Sequence, residues 1–140
     1  MKKILFILSV ALFFAIQSIN TFAEVSAKEM AMARRAGLNG TQWTISVKPS
    51  DGKGQAETDV LSFAAGKVSS NNLANAGFAQ TDFTVRIDEE NDGTIWETMQ
   101  IDENGNYAFW RGDINNGAMR GILTRRDSRG RNTDYVFESH

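Results

Sequence analysis

The chain has 140 residues, 17 acidic against 15 basic side chains, a formal net charge of −2 and no cysteine. Its mild acidity argues against nucleic acid as a principal partner, and the lack of thiols excludes disulfides and thiolate metal sites. Hydrophobic packing therefore has to hold the fold by itself.

Residues 1–23 read as a secretory signal peptide. Lys2 and Lys3 precede an apolar run from Ile4 to Ile16, and small residues follow around Thr21-Phe22-Ala23. The run is shorter than the roughly 20 residues of a membrane span, so the expectation is a periplasmic or secreted chain with no span after cleavage. A cut after Ala23 leaves 140 − 23 = 117 residues, enough for one domain, and takes the charge to 13 − 17 = −4. A second cut, after Val25-Ser26-Ala27, is compatible with the same pattern.

Residues 24–37 are rich in helix formers and end on Gly37, where a helix cap belongs, which predicts a short N-terminal helix. From residue 38 the period becomes two. Trp43, Ile45 and Val47 alternate with polar residues, Leu61 and Phe63 follow a loop over 49–57, and a tight turn at Ala65-Gly66 sets Phe63 against Val68. Residues 71–80 read as a long loop, and Phe83, Val85 and Ile87 are in phase on the next strand.

Four further turns set the remaining registers. Asn91-Asp92-Gly93, read as a three-residue loop, pairs Ile87 with Glu97 and Val85 with Met99; Asn104-Gly105, read as a type I′ turn, pairs Met99 with Trp110 and Ile101 with Ala108. Asn116-Gly117 pairs Ile114 with Met119 and Trp110 with Leu123, and Ser128-Arg129-Gly130 pairs Leu123 with Tyr135 and Gly121 with Phe137. The same registers stack Asp113 beside Arg120 and Arg120 beside Glu138 on the outer face, a favourable cross-strand ladder. The sum is an all-β domain over 38–140, an eight-stranded antiparallel up-and-down barrel, since closure removes the edges of such a meander. Its mouth is formed by the loops at 49–57 and 71–80 with the turns at Asn104 and Arg129.

At Leu38-Asn39-Gly40-Thr41-Gln42-Trp43 the chain resembles the opening of the calycin barrels, the superfamily of lipocalins, fatty-acid-binding proteins and avidins. The resemblance implies a tryptophan at the closed end, here Trp43, and a helical N-terminal plug. Lipocalins also set an arginine against that tryptophan, and the registers above offer no inward arginine there. Runs such as Trp110-Arg111-Gly112 and Met119-Arg120-Gly121 also look like small secreted bacterial proteins.

Three candidate sites follow. Inside, Glu97 stands in phase with Ile95, Met99 and Ile101, with Gly112 and Gly121 leaving room beside it; it reads either as a ligand contact or as a structural hydrogen-bond acceptor for Tyr135 or Trp43. Nearer the mouth the same registers turn Arg125, Thr133, Asp59, Ser70, Phe83, Ile101 and Ala108 inward, with Trp110 below, an apolar wall with a few polar groups. Arg125 then either holds a carboxylate or pairs with Asp59. Outside, Trp96, Phe109, Ile122 and Val136 lie together and require a cover, for which the helix with Met30 and Met32 is available, or a protein partner.

Other motifs have plainer readings. Arg125 to Arg131 is a basic hairpin tip, Arg111-Gly112-Asp113 lies within a strand, and the calcium-loop-like Asp88 to Gly93 has Met99 where a bidentate Glu belongs. With His140 as its one histidine and no cysteine, the chain offers no nucleophile and base pair, and no metal or cofactor is implied. The expectation is a lipocalin-like binding protein, not an enzyme, for a small, largely apolar or anionic molecule at the barrel mouth. The alternative is an interaction or protease-inhibitor barrel acting through its N-terminal arm or outer apolar patch.

Overall fold

The computed structural model describes residues 26–140, so the expected signal peptide lies outside the described residues. Helix α1 covers 26–38, and strands β1 (Thr41–Pro49), β2 (Glu57–Ala64) and β3 (Lys67–Ser70) lead to a one-turn helix, α2 (Asn71–Asn75). Strands β4 (Thr81–Asp82), β5 (Thr84–Asp88), β6 (Gly93–Ile101), β7 (Tyr107–Asn115), β8 (Ala118–Arg126) and β9 (Asn132–Ser139) complete the chain. All pairings are antiparallel, in the order β4-β3-β2-β1-β9-β8-β7-β6-β5, which gives a nearly closed up-and-down barrel. Among the described residues no helix is long and apolar enough to cross a membrane.

The expected eight strands are nine because the one spanning 81–88 breaks at Phe83. Its first half pairs with β3, Val68 opposite Thr81, and its second half with β6, Val85 opposite Trp96. The closing strand thus changes partner midway, and side chains bridge the seam. On the mouth side Thr98 donates to the Asp82 carbonyl at 2.6 Å and Gln100 to that of Ala79 at 2.8 Å. On the other side Arg35 of α1 donates from Nε to the Phe83 carbonyl and from Nη2 to that of Gly66, both at 3.1 Å, with its guanidinium 5.1 Å from the centre of the Phe83 ring.

The tight turns behave as their residues require. Ala65-Gly66 and Asn116-Gly117 are left-handed at both positions, as a type I′ turn demands, and the registers Phe63–Val68, Trp110–Leu123 and Leu123–Tyr135 all hold. Two expected registers do not. Asn104-Gly105 belongs to a three-residue loop, in which the Asp102 N–H donates to the Asn106 carbonyl, Gly105 is left-handed, and Asp102 Oδ1 accepts from the N–H groups of Asn104 and Asn106. The β5–β6 loop is four residues long, with Asp88 opposite Gly93 and its carboxylate gripping Glu90 and Asn91.

These two shifts leave β7 in phase and turn β6 over. Thr94, Trp96, Thr98 and Gln100 are buried on the inner face, while Met99, 53% exposed, and Ile101 lie outside. The interior row opposite Trp110, Leu123 and Tyr135 is therefore completed by Thr98, not Met99. Trp96 wins the interior because Gly112 leaves it a place: a Cβ there would collide with the indole, as one on Gly121 would with the Phe137 ring and the Arg111 carbonyl. Five rings fill the lumen. Phe63 meets Phe83 and Trp96 edge-on with centroids 5.1 and 5.0 Å apart, and Trp110 and Phe137 close the cluster at 5.3 Å. Asp113–Arg120 and Arg120–Glu138 are opposed on the outside as expected.

Two predictions follow. Removing Arg35 leaves the Phe83 and Gly66 carbonyls short of a charged donor, so Arg35→Ala is expected to lower stability by about 2 kcal/mol in urea unfolding; an unchanged midpoint would mean that the seam does not need it. The second concerns acid. Hydrogen bonds from the Asn91 amide to Asp88, from the Asn106 amide to Asp102 and from the Arg131 N–H to Asp127 hold these carboxyls below their ordinary value of 3.8. A group depressed in the folded state stabilises it above the unfolded pKa and loses that effect as pH falls through the folded one. Tm is thus expected to fall below about pH 4, and to fall less steeply in the Asp102→Asn, Asp127→Asn double variant.

Candidate functional site at the barrel mouth

The mouth is capped from within. Residues 71–80, expected as a loop, contain α2 and drive Leu73 and Phe78 into the core. Asp59 organises this cap although it is buried: its carboxylate accepts from the Ser70 hydroxyl, the Asn72 N–H at 3.0 Å and its neighbour Val60 N–H at 2.7 Å. Ser70 in turn accepts from the Leu73 N–H at 3.0 Å and so caps α2. Asp59 is thus committed to the cap and forms no ion pair with Arg125.

Arg125 is left to the rim. It stands opposite Thr133 on the inward-pointing side of β8, half-buried, with its guanidinium 5.8 Å from the centre of the Phe78 ring. No carboxylate among the described residues lies within ion-pair distance of it. Two recesses share Arg125 and Tyr135 as a common wall. One, of about 190 Å³, adds Phe78, Asn106, Thr133 and Arg131. The other, of about 330 Å³, adds apolar Val47, Leu73 and Leu123 together with the acidic residues Glu57 and Asp59.

Two hairpin tips stiffen this rim. Asp102-Glu103-Asn104-Gly105-Asn106 and Asp127-Ser128-Arg129-Gly130-Arg131 are the same loop built twice, each with a leading aspartate gripping the N–H groups two and four residues on and a left-handed glycine in fourth place. The Ser128 N–H donates to Asn106 Oδ1 at 2.9 Å and ties one tip to the other. In the basic tip Arg131 is bound to Asp127 at 2.7 Å, while Arg126 and Arg129 are exposed.

The other expected site residues divide. Arg125, Thr133, Asp59 and Ser70 do meet at the mouth end, and Ala108 and Trp110 face inward as buried core. Phe83 is also buried, but beside Arg35 at the closed end. Glu97 and Ile101 are outside, Glu97 lying 3.7 Å from Arg111 in a partly exposed ion pair, because β6 is turned over. The same inversion removes Trp96 from the outer patch, which consists of Met99, Ile101, Tyr107, Phe109 and Ile122 beside half-buried Val136. Nor does α1 cover that patch. It sits at the closed end, where Arg34 bonds Asp92 at 3.0 Å, and leaves Met30 and Met32 exposed. Phe78, Asn106 and Tyr135 were not expected at the rim; of these, Asn106 is legible once the repeated Asp-x-x-Gly-x pattern is noticed.

The family models, the curated proteins and the solved structures contain no match to this chain. The fold itself, a nearly closed antiparallel barrel with a helix at one end, is compatible with a calycin-like architecture.

The cap can be tested at Asp59. Asp59→Ala strands the buried Ser70 hydroxyl and releases the Asn72 N–H, so stability is expected to drop by about 1–3 kcal/mol, with faster amide exchange concentrated in residues 70–78. Uniformly faster exchange would show that Asp59 supports the whole barrel instead.

Proposed function

We propose that the protein is an exported binding protein, not an enzyme, that takes a small carboxylate at the rim of the barrel through Arg125. The observation that carries this reading is a half-buried guanidinium laid over Phe78, without an ion partner among the described residues, and shared by two recesses. Charged groups in such places are ordinarily paired, and a bound anion would supply the missing partner by a charge-assisted, bidentate hydrogen bond. Tyr135 and Thr133, each bearing a hydroxyl, line the same space. Val47, Leu73 and Leu123 offer a short apolar wall beside it.

The lumen argues for a short ligand. Its centre is occupied by Phe63, Phe83, Trp96, Trp110 and Phe137, so a long acyl chain has no channel to enter. A calycin-like ancestry also belongs to this proposal. Supporting it is Trp43, half-buried at the start of β1 with its Nε1 donating to Thr41 at 3.1 Å, whereas the arginine at the closed end, Arg35, stacks on Phe83 and not on that tryptophan, a departure from the lipocalin pattern. The leader-like residues 1–23 support export.

Titration calorimetry with benzoate, hexanoate and palmitate tests the reading. Benzoate and hexanoate are expected to bind, palmitate no more tightly than hexanoate, and Arg125→Ala to weaken binding by about 10- to 100-fold. Failure of all three acids to bind would sink the rim site. A second reading, as an interaction protein, is favoured by the exposed apolar side chains on the outside of β6 to β8.

A further inference from the structure

The larger of the two recesses beside Arg125, of about 330 Å³, carries opposite charges at its two ends and an apolar wall between them. The registers explain this order. Arg125 stands two residues beyond buried Leu123 on the inner side of β8, Leu123 is opposite Tyr135, and Tyr135 is opposite Pro49. Val47, two residues before Pro49 on β1, is opposite Glu57. Glu57 has the parity of buried Asp59, Leu61 and Phe63, so it is the outermost inward position of β2, and it is exposed. All six residues from Arg125 round to Glu57 line the recess, to which α2 adds Leu73.

The two end charges do not meet. Among the described residues neither Arg125 nor Glu57 has an ion partner, and Asp59, the second acid of the recess, accepts from one hydroxyl and two amide N–H groups but from no cation. One end therefore holds a guanidinium without a carboxylate, and the other two carboxylates without a cation. A plain carboxylate satisfies only the first. A molecule with both charges on one carbon would hold its apolar body to one side and could not span the wall from Leu123 to Val47.

We infer that the rim ligand is a short aliphatic zwitterion with its charges at opposite ends, its carboxylate on Arg125, its ammonium on Glu57 and its methylenes along Leu123, Tyr135 and Val47. The inference rests on the reading of Arg125 as a carboxylate site and adds Glu57 as the residue that selects among carboxylates. An ammonium at the tail of an acid ordinarily opposes binding to an apolar wall. Tighter binding of the amino acid than of the plain acid thus reports the Glu57 counter-charge directly.

Titration calorimetry at about pH 7, where both end groups are charged, compares hexanoate, 6-aminohexanoate and leucine. The expected result is that 6-aminohexanoate binds about tenfold more tightly than either of the others, and that Glu57→Gln removes the preference. Glu57→Lys should invert it, so that adipate binds more tightly than 6-aminohexanoate, and far-ultraviolet circular dichroism checks that both variants keep the fold. Binding of hexanoate with no gain for 6-aminohexanoate would overturn the zwitterion and leave the carboxylate site standing, whereas no binding of any acid would overturn both. Leucine binding as tightly as 6-aminohexanoate, or a preference that survives Glu57→Gln, would overturn the end-to-end placement.

Discussion

Everything in this barrel depends on how one strand is shared at the seam. A meander of antiparallel strands leaves two edges, and edges left open invite pairing with other chains. Here the last gap is closed by the run from Thr81 to Asp88, which gives its first half to β3 and its second to β6. At the change of partner the backbone is left incompletely paired, and side chains complete it: Thr98 and Gln100 from β6, Arg35 from α1. Those three residues explain why α1 docks where it does and why two polar residues on the inner face of β6 are acceptable in a core.

The seam also dictates the interior. Once Thr98 and Gln100 point inward, Trp96 does too, and its indole requires the absent side chain of Gly112. The Trp110 indole then finds its acceptor in Gln100 Oε1 at 3.0 Å, so one amide serves the seam and the core together. Trp96 Nε1 has no such partner, a desolvation penalty of about 1–3 kcal/mol set against the burial of its large apolar ring among three others. The result is a barrel whose centre is filled by aromatic side chains.

Much of this was legible in the sequence, and the exceptions have physical causes. The type I′ turns at Ala65-Gly66 and Asn116-Gly117 were readable because two successive left-handed residues admit few alternatives. Asn104-Gly105 misled because the same dipeptide fits the end of a three-residue loop when an aspartate stands two places earlier to hold the N–H groups. Strand β6 was ambiguous for another reason: both faces are apolar in part, Ile95, Met99 and Ile101 against Trp96, and only the glycine opposite decides between them. Arg125, Thr133, Asp59 and Ser70 were traceable to the mouth because β2, β3, β8 and β9 kept their registers. The role of Asp59 in capping α2 was not, since α2 has a single turn and no period to show.

The paired rim loops have an evolutionary consequence. Each is held by its own aspartate, its own glycine and backbone hydrogen bonds, and the exposed residues between them, Glu103, Asn104 and Arg129, contribute no side-chain hydrogen bond to either loop. Mutation at these positions is therefore nearly uncoupled from folding. A lineage could exchange them freely and change the charge and shape the rim presents while the barrel beneath it stays the same.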